Sequence, residues 1–428
     1  MQIQFHHQFF AGPDAPGPAQ PRKLVRFLAD RGHTIDVIAG DFNVYNEQDE
    51  PPESYETSAG GKVTVHRLKT SRGVRASLGT RLKTYLQFAW AAYPYGLNLD
   101  VPDVVMASIQ PLFSGYTAMR LARHWKRPFL LEIRDLWPDA LVVKGAINKW
   151  QAWPLYALAN KLYSGADRLV SLTPGIKTEL LKKGVQRERL DLFPNGFDPE
   201  LFDLPSDTRA SIRRQFGWGD QFVAVYTGTH TEVTAIEVIV RAAAALQHRK
   251  DIRFDLIGSG QTKAAAIALA QSLGLHNIHF HDPVPKSSVP SILAGADLGL
   301  MALFSSPLIH IYFENKLIDY MGSGIPIAAA MEGVQADIIN QVGSGSVVSG
   351  FDQEGMALLI AEAADHPDLC RKRGLAGKQF VRDRISQPVI LEHYACVLES
   401  LVRGDSDSLP VWDPLTAQAL NSWVLKEA

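Results

Sequence analysis

Short apolar runs of strand length alternate along this chain with segments of helical period, and the whole alternation occurs twice. In the first half the runs are MQIQFHHQF, TIDVIAG, DVVMAS and PFLLEIRD, with PRKLVRFLADRGH and FSGYTAMRLARHW among them. Strands that are apolar throughout are covered on both faces, and joining them through helices gives right-handed βαβ units and a parallel sheet. In the first of those helices Leu24, Val25 and Leu28 share one stripe, and Gly32 marks its end. The second half restarts at FVAVYTG and continues through IRFDLIGSG, NIHFHD, ADLGLMAL and IPIAAA, with helices near 234–248, 262–273 and 288–295. Between the halves, the Pro- and Asp-rich FDPELFDLPSDT (197–208) reads as a linker. The expected architecture is α/β, with two doubly wound domains at 1–200 and 208–385 facing each other across a cleft, and a C-terminal helix and tail at 386–428. Open sheets of this kind bind ligands at the carboxyl ends of their strands, so the cleft is the expected active site.

A length of 428 residues exceeds one ordinary core and agrees with two domains. The 43 Lys and Arg nearly balance the 45 Asp and Glu, which argues against a nucleic-acid binder relying on a basic surface. Cys370 and Cys396 supply no disulfide framework, and the N-terminus carries neither a basic leader nor a cleavage site. A cytoplasmic protein is the expectation. Thr84 to Asn98 is too short to span a bilayer, and Pro94 interrupts it.

Several segments carry chemistry. In FENKLIDYMGSG, helical spacing puts Leu317, Ile318 and Met321 on one face and Lys316 and Asp319 on the other, so the charged face is expected to look away from the core. A solvated face explains Asp319 as well as a ligand role does; in the latter, its carboxylate accepts from two adjacent hydroxyls of a sugar. Gly258 and Gly260 in LIGSGQ stand between a strand and a helix, a place where backbone N–H groups meet phosphate. The third glycine of a dinucleotide fingerprint is missing, which leaves a plain turn as the alternative and argues against a nicotinamide site. Gly228, Thr229 and His230 close another strand in YTGTHTEV. In LLEIRDLWPDAL the charges Glu132, Arg134, Asp135 and Asp139 crowd a strand end beside Trp137, as an internal ion pair or as a substrate-facing cluster.

Residues 72–95 carry Arg72, Arg75, Arg81 and Lys83 ahead of Leu82, Tyr85, Leu86, Phe88, Trp90 and Tyr93. Either an ordinary packed helix or one lying at a lipid interface fits that pattern. Metal and covalent chemistry find little support: there is no HExxH, no paired-Cys site and no Gly-x-Ser-x-Gly elbow. Asp405 and Asp407 read as a solvated loop, and Trp412 and Trp423 as pins for the tail.

Taken in order, FFAGPDAPGPAQPRKLVRFLADRGHTIDVIA, EIRDLWPD, FPNGFDPELF, YTGTHTEV, LIGSGQ, NIHFHDPVPKSSVPSILAGADLGL and ENKLIDYMGSGIPI resemble the family 4 retaining glycosyltransferases of the two-Rossmann GT-B type, over about residues 1–403. The likeness is closest to a subgroup of N-acetylfucosamine transferases of surface-polysaccharide assembly. It implies a nucleotide-sugar donor, UDP-linked, held by the C-terminal domain and an acceptor held by the N-terminal domain, with no cofactor and no obligatory metal. It also implies that the last helix crosses back to the N-terminal domain.

By the same resemblance, Asp319 binds the nucleotide ribose, Asp282, Pro283 and Val284 hold the base, and Lys316 and His230 attend the donor. Gly12 and Gly17 face the donor phosphates, with Arg22 at the next helix start. Arg134 and Asp135 stand where many members carry a His-Asp pair beside the transferred sugar. Lys316, Glu314, Arg134 and Asp135 are therefore the expected catalytic residues.

The chain departs from the family in places. Its first motif acid would fall at Ile311, with Glu314 three residues later; Thr229 and Thr234 replace a usual arginine and lysine; Thr231 and Ala235 replace two glycines. Lys316 and Arg134 are left to meet phosphate charge. The expected function is sugar transfer to a glycan or lipid-linked acceptor, with residues 72–95 touching the inner face of the plasma membrane. A non-catalytic nucleotide- or sugar-binding partner and a UDP-sugar epimerase are the alternatives.

Overall fold

The computed structural model describes residues 1–13, 15–74, 76–109, 111–143, 145–304, 313–405, 408–416 and 420; Arg75, Ile311, Asp407 and Trp423 lie outside the described residues. The chain forms two compact units. Met1–Pro194 with Ile390–Asp413 make the first, and Asn195–Val389 with Pro414–Ala428 the second.

The first unit holds β1 (Gln2–His6), β2 (Thr34–Gly40), β3 (Glu53–Glu56), β4 (Lys62–Leu68), β5 (Val104–Ile109), β6 (Phe129–Ile133), β7 (Arg168–Ser171) and β8 (Leu190–Leu192). They lie in the order β3-β4-β2-β1-β5-β6-β7-β8, parallel except for the β3–β4 pair. The strand order reverses between β1 and β5, the kind of point where doubly wound sheets open a crevice. β5 and β6 are buried along their whole length because helices cover both faces, which is why they read as unbroken apolar runs. The helix Leu112–Trp125 packs on β5 and is flanked by the helices Leu78–Leu97 and Lys149–Gly165. Contrary to the sequence expectation, Leu78–Leu97 runs through Pro94 and stops only three residues beyond it. From Ile390 the last helix, Gln387–Arg403, belongs to this unit, where the Tyr394 ring packs at a tilt on Phe193, 4.3 Å between centroids.

The second unit holds β9 (Phe222–Thr227), β10 (Ile252–Ile257), β11 (Ile278–His281), β12 (Leu298–Ala302), β13 (Ile327–Ala330) and β14 (Gly345–Val348). All are parallel, in the order β11-β10-β9-β12-β13-β14, with the reversal between β9 and β12. Residues read as a linker are folded against this unit. Phe197 donates its N–H to Ile385 (2.8 Å), accepts from Gln387 (2.6 Å), and fills the space that a side chain at Gly322 would need. Among the described residues no helix is long and apolar enough to cross a membrane.

Candidate functional site

At the carboxyl end of β9 the second unit opens a cavity of about 450 Å3. It is lined by Thr227, Gly228 and Thr229 after β9, by Ile257, Gly258 and Ser259 after β10, by Pro283, Val284, Lys286 and Val289, and by Glu314, Asn315, Lys316 and Asp319. Eight of the residues named from sequence thus meet in one place. His230, Gly260 and Asp282 adjoin the lining without forming it.

The helix Asn315–Ser323 brings the charges in, and here the sequence expectation needs correction. Lys316 does not look away from the core: it is 7% exposed, its stem lies against Gly228, and its ammonium donates to the Tyr226 hydroxyl at 2.7 Å. Helical period alone assigns any charge to the free face, but a lysine can bury its methylenes and keep its head polar-bonded. The same ammonium sits 4.0 Å from the centre of the Tyr226 ring and 3.3 Å from Glu314 Oε1. Glu314 Oε2 is buried without a hydrogen-bond partner, while the Glu314 N–H donates to Gln335.

Asp319 is largely buried and its carboxylate is paired with the Lys286 ammonium. Burial pushes the Asp319 carboxyl up, and Lys286 pulls against that. Asp282, by contrast, projects outward, where Lys263 reaches it at 3.3 Å. Lys263 also donates to the carbonyls of Gly258 (2.9 Å) and His281 (2.7 Å), tying the β10 and β11 ends together.

Gly258 has φ +152° and leaves only 1.8 Å between an added Cβ and the Gly228 carbonyl oxygen. Its lack of a side chain is therefore spent on packing one strand-end loop against another. His230 lies beneath that contact, fully buried, with neither ring nitrogen hydrogen-bonded. Burial first, then Lys263 and Lys316, lower its pKa to about 4, so the ring is neutral at pH 7. The Thr234 hydroxyl donates to the Thr229 carbonyl (3.0 Å) and accepts from the Thr231 N–H (2.9 Å), so it fills a structural role in the loop after β9. Ala235 adopts φ +37°, ψ +42°, a left-handed conformation that glycine takes more readily than alanine.

In the first unit the candidates are more firmly tied to their neighbours. Arg134 pairs with Glu132 at 3.2 Å, and Glu132 also accepts from the Tyr394 hydroxyl at 2.9 Å. Burial alone would raise the Glu132 carboxyl, but Arg134 and these donors hold it below the usual carboxylate range. Asp139 leaves the cluster for Lys183 (3.0 Å), and Asp135 follows Arg134 in the turn after β6. Arg22 is bound to Glu53 (2.6 Å) and to the Ala11 carbonyl (2.7 Å). Gly12 gives its N–H to Glu50 at 3.0 Å, and Gly17, at φ +149°, sits on Ala11 and Tyr45.

His7, not singled out from sequence, ends its ring beside Arg134 and Glu132. Both its nitrogens lack partners, and burial, then Arg134, lower its pKa to about 4. Lys286, Lys263 and Ser259 were likewise missed. The two lysines had a local signal, each being a basic residue just after a strand-end turn.

Convergent carboxylates and ammoniums around backbone at the ends of two strands suit a ligand that is anionic and carries hydroxyls. Residues 19–196 match the Glycosyl transferase 4-like domain, and residues 221–366 match Glycosyl transferases group 1. The chain thus carries two glycosyltransferase-type domains in tandem, the first of them family 4-like. The chain is 24% identical, over 203 residues, to the GDP-mannose-dependent alpha-(1-6)-phosphatidylinositol monomannoside mannosyltransferase of Mycolicibacterium smegmatis, covering 45% of this chain and 52% of that one. It is 26% identical over 242 residues to the D-inositol 3-phosphate glycosyltransferase of Streptomyces griseus, covering 50% of each. The matched part thus spans about half the length of these curated relatives. In fold it is similar to sucrose-phosphate synthase from Thermosynechococcus elongatus (TM-score 0.71, 19% identity, 94% of this chain and 99% of that one). It is also similar to Anabaena HepE in complex with UDP (TM-score 0.68, 15% identity, 94% and 100%). The fold is GT-B, two Rossmann-like units.

Proposed function

We propose that this glycosyltransferase moves a sugar from a UDP-linked donor to a glycan or lipid-linked acceptor, with retention of configuration. The observation that carries the reading is the placing of Asp319 and Lys316 in one cavity at the end of β9. In this reading the Asp319 carboxylate accepts from the two ribose hydroxyls, and Pro283 and Val284 border the base. Lys316 meets the diphosphate, whose negative charge grows as the bond to the sugar breaks; a preset cation there favours the transition state over the ground state. Arg134 and Asp135 attend the acceptor side in the first unit. The solved complex of HepE with UDP supports the nucleobase, and the subgroup likeness makes N-acetylfucosamine and related N-acetylhexosamines the first sugars to screen.

The mannosyltransferase relative takes GDP-mannose by its name, which makes GDP the competing nucleotide. A non-catalytic nucleotide-binding role is the second reading, favoured by Thr234 being engaged internally and by Arg22 and Arg134 each being paired within the protein. Calorimetry with UDP, GDP and NAD on the wild type and Asp319→Ala, followed by product analysis with UDP-sugars, tests these readings. UDP-selective binding lost in the variant, together with sugar transfer, supports the transferase. UDP binding without any turnover supports the non-catalytic reading.

A further inference from the structure

A second hollow, of about 390 Å3, lies in the first unit, walled by Leu82 and Leu86 of the helix Leu78–Leu97, by Phe113, by Trp137 and Leu141, and by Leu155 of the helix Lys149–Gly165. Its lining is overwhelmingly apolar, and two polar side chains on its rim are already engaged. Arg81 donates to the Val74 carbonyl (3.0 Å), and the Gln151 carbonyl oxygen accepts from the Asn148 N–H (2.9 Å). A peptide would find little here to fix its hydrogen-bond register, whereas a hydrocarbon chain needs none.

The surface around the mouth has the same character. Leu78, Leu82, Leu86 and Trp90 follow one another at four-residue steps on one helix face, and all are exposed, Trp90 to 85%. On the neighbouring helix Trp150 and Trp153 are 89% and 69% exposed. Contiguous apolar exposure of this kind marks an interaction site. The charged residues of these two helices are Arg81, Lys83, Lys149 and Lys161; neither helix contains an Asp or Glu, although acids outnumber bases in the chain as a whole. Apolar stripes, exposed tryptophans and unopposed cations together fit an anionic lipid surface.

The hollow is also linked to the acceptor-side candidates through one of its wall residues. Trp137, in its wall, lies in the turn that carries Arg134 and Asp135. Trp137 meets Tyr85 edge-on at 6.0 Å, and the charge of Asp135 acts on the Tyr85 hydroxyl.

We propose that this groove binds the hydrocarbon chain of a lipid-linked acceptor, with the two helices resting on anionic lipid and the acceptor head placed at Arg134 and Asp135. The inference rests on the transferase reading for the identity of the head, and it adds the second helix and the groove to the membrane contact expected of residues 72–95.

The test is binding of the full chain to phosphatidylglycerol vesicles, with phosphatidylcholine vesicles as comparison and brominated acyl chains as quenchers of tryptophan fluorescence. The expected result is binding to the anionic vesicles with quenching. Leu86→Glu, at the exposed mouth, and Trp150→Ser, on the rim, should each weaken binding about tenfold or more while leaving UDP affinity unchanged. Failure of the wild type to bind, equal binding to both lipids, or wild-type binding by Leu86→Glu would overturn the groove. Vesicle binding in a chain that binds no nucleotide would remove the transferase reading and leave the lipid site standing.

Discussion

Lys286 and Asp319 form an ion pair in which the carboxylate is buried and the ammonium is more than half exposed. The lysine is thus able to swing away at little cost, because an exposed partner contributes at most about 1 kcal/mol. In the proposed complex the ribose hydroxyls take its place. Asp319→Ala should lower UDP affinity by tenfold or more, given ~1.5–3 kcal/mol for a hydrogen bond to a charged group. Lys286→Met should change it by less than tenfold. Calorimetry of both variants decides the matter; a larger loss in Lys286→Met than in Asp319→Ala would mean that the lysine, not the acid, holds the nucleotide.

Lys316→Met should reduce turnover by about 10²-fold, the usual cost of removing one preset electrostatic stabiliser. Steady-state kinetics with a UDP-sugar donor measures this, and near-normal turnover would remove Lys316 from the mechanism.

Gly258→Ala forces a Cβ against the Gly228 carbonyl, backbone that cannot give way locally. The variant should be less stable by about 1–3 kcal/mol, the range for strain of this kind, and should bind UDP weakly. Urea unfolding beside calorimetry reads both effects.

Ala235→Gly should act in the opposite sense. Left-handed backbone costs a residue with a side chain about 1–2 kcal/mol, which glycine avoids, partly offset by the greater freedom of glycine in the unfolded chain. A net gain of about 0.5–1 kcal/mol in unfolding free energy is expected. A loss would show that the methyl group packs usefully.

Three buried histidines set an acid limit. Burial lowers the pKa of His6 to about 3 and those of His7 and His230 to about 4, from 6.5. Between pH 6.5 and 4 the unfolded chain takes up protons that the folded chain refuses, so stability is full above that window and falls as pH drops through it. Each group contributes up to about 1.4 kcal/mol per pH unit. The urea midpoint should decline from pH 7 to pH 5, and His230→Phe should flatten the slope.

The fold was legible because β5, β6, β9 and β12 are covered on both faces, and such strands leave unbroken apolar runs in the sequence. Gly258 could be picked out because it closes a strand just ahead of a helix, and Asp319 because helical spacing sets it apart from the apolar stripe of its helix, whereas Pro283 and Val284 could be named only through the likeness to the family. Contacts made across the sheet left no such trace. Lys316 meets Tyr226, ninety residues upstream, so no periodicity foretold its burial. Arg22 looked available until Glu53 arrived from β3, and Lys286 is paired with an acid 33 residues away. Tertiary partners, rather than local propensity, decide which charges are left for a ligand.

The hydrogen bond from Tyr394 to Glu132 has a consequence for how the molecule comes into being. A ribosome must add 262 residues after Glu132 before the tyrosine exists, on the order of tens of seconds at ordinary synthesis rates. Through that interval the second unit, whose sheet is encoded in one stretch, can close on itself. The first unit, begun earlier, finishes later. A fragment ending at Pro194 keeps the buried acid and never receives its hydroxyl.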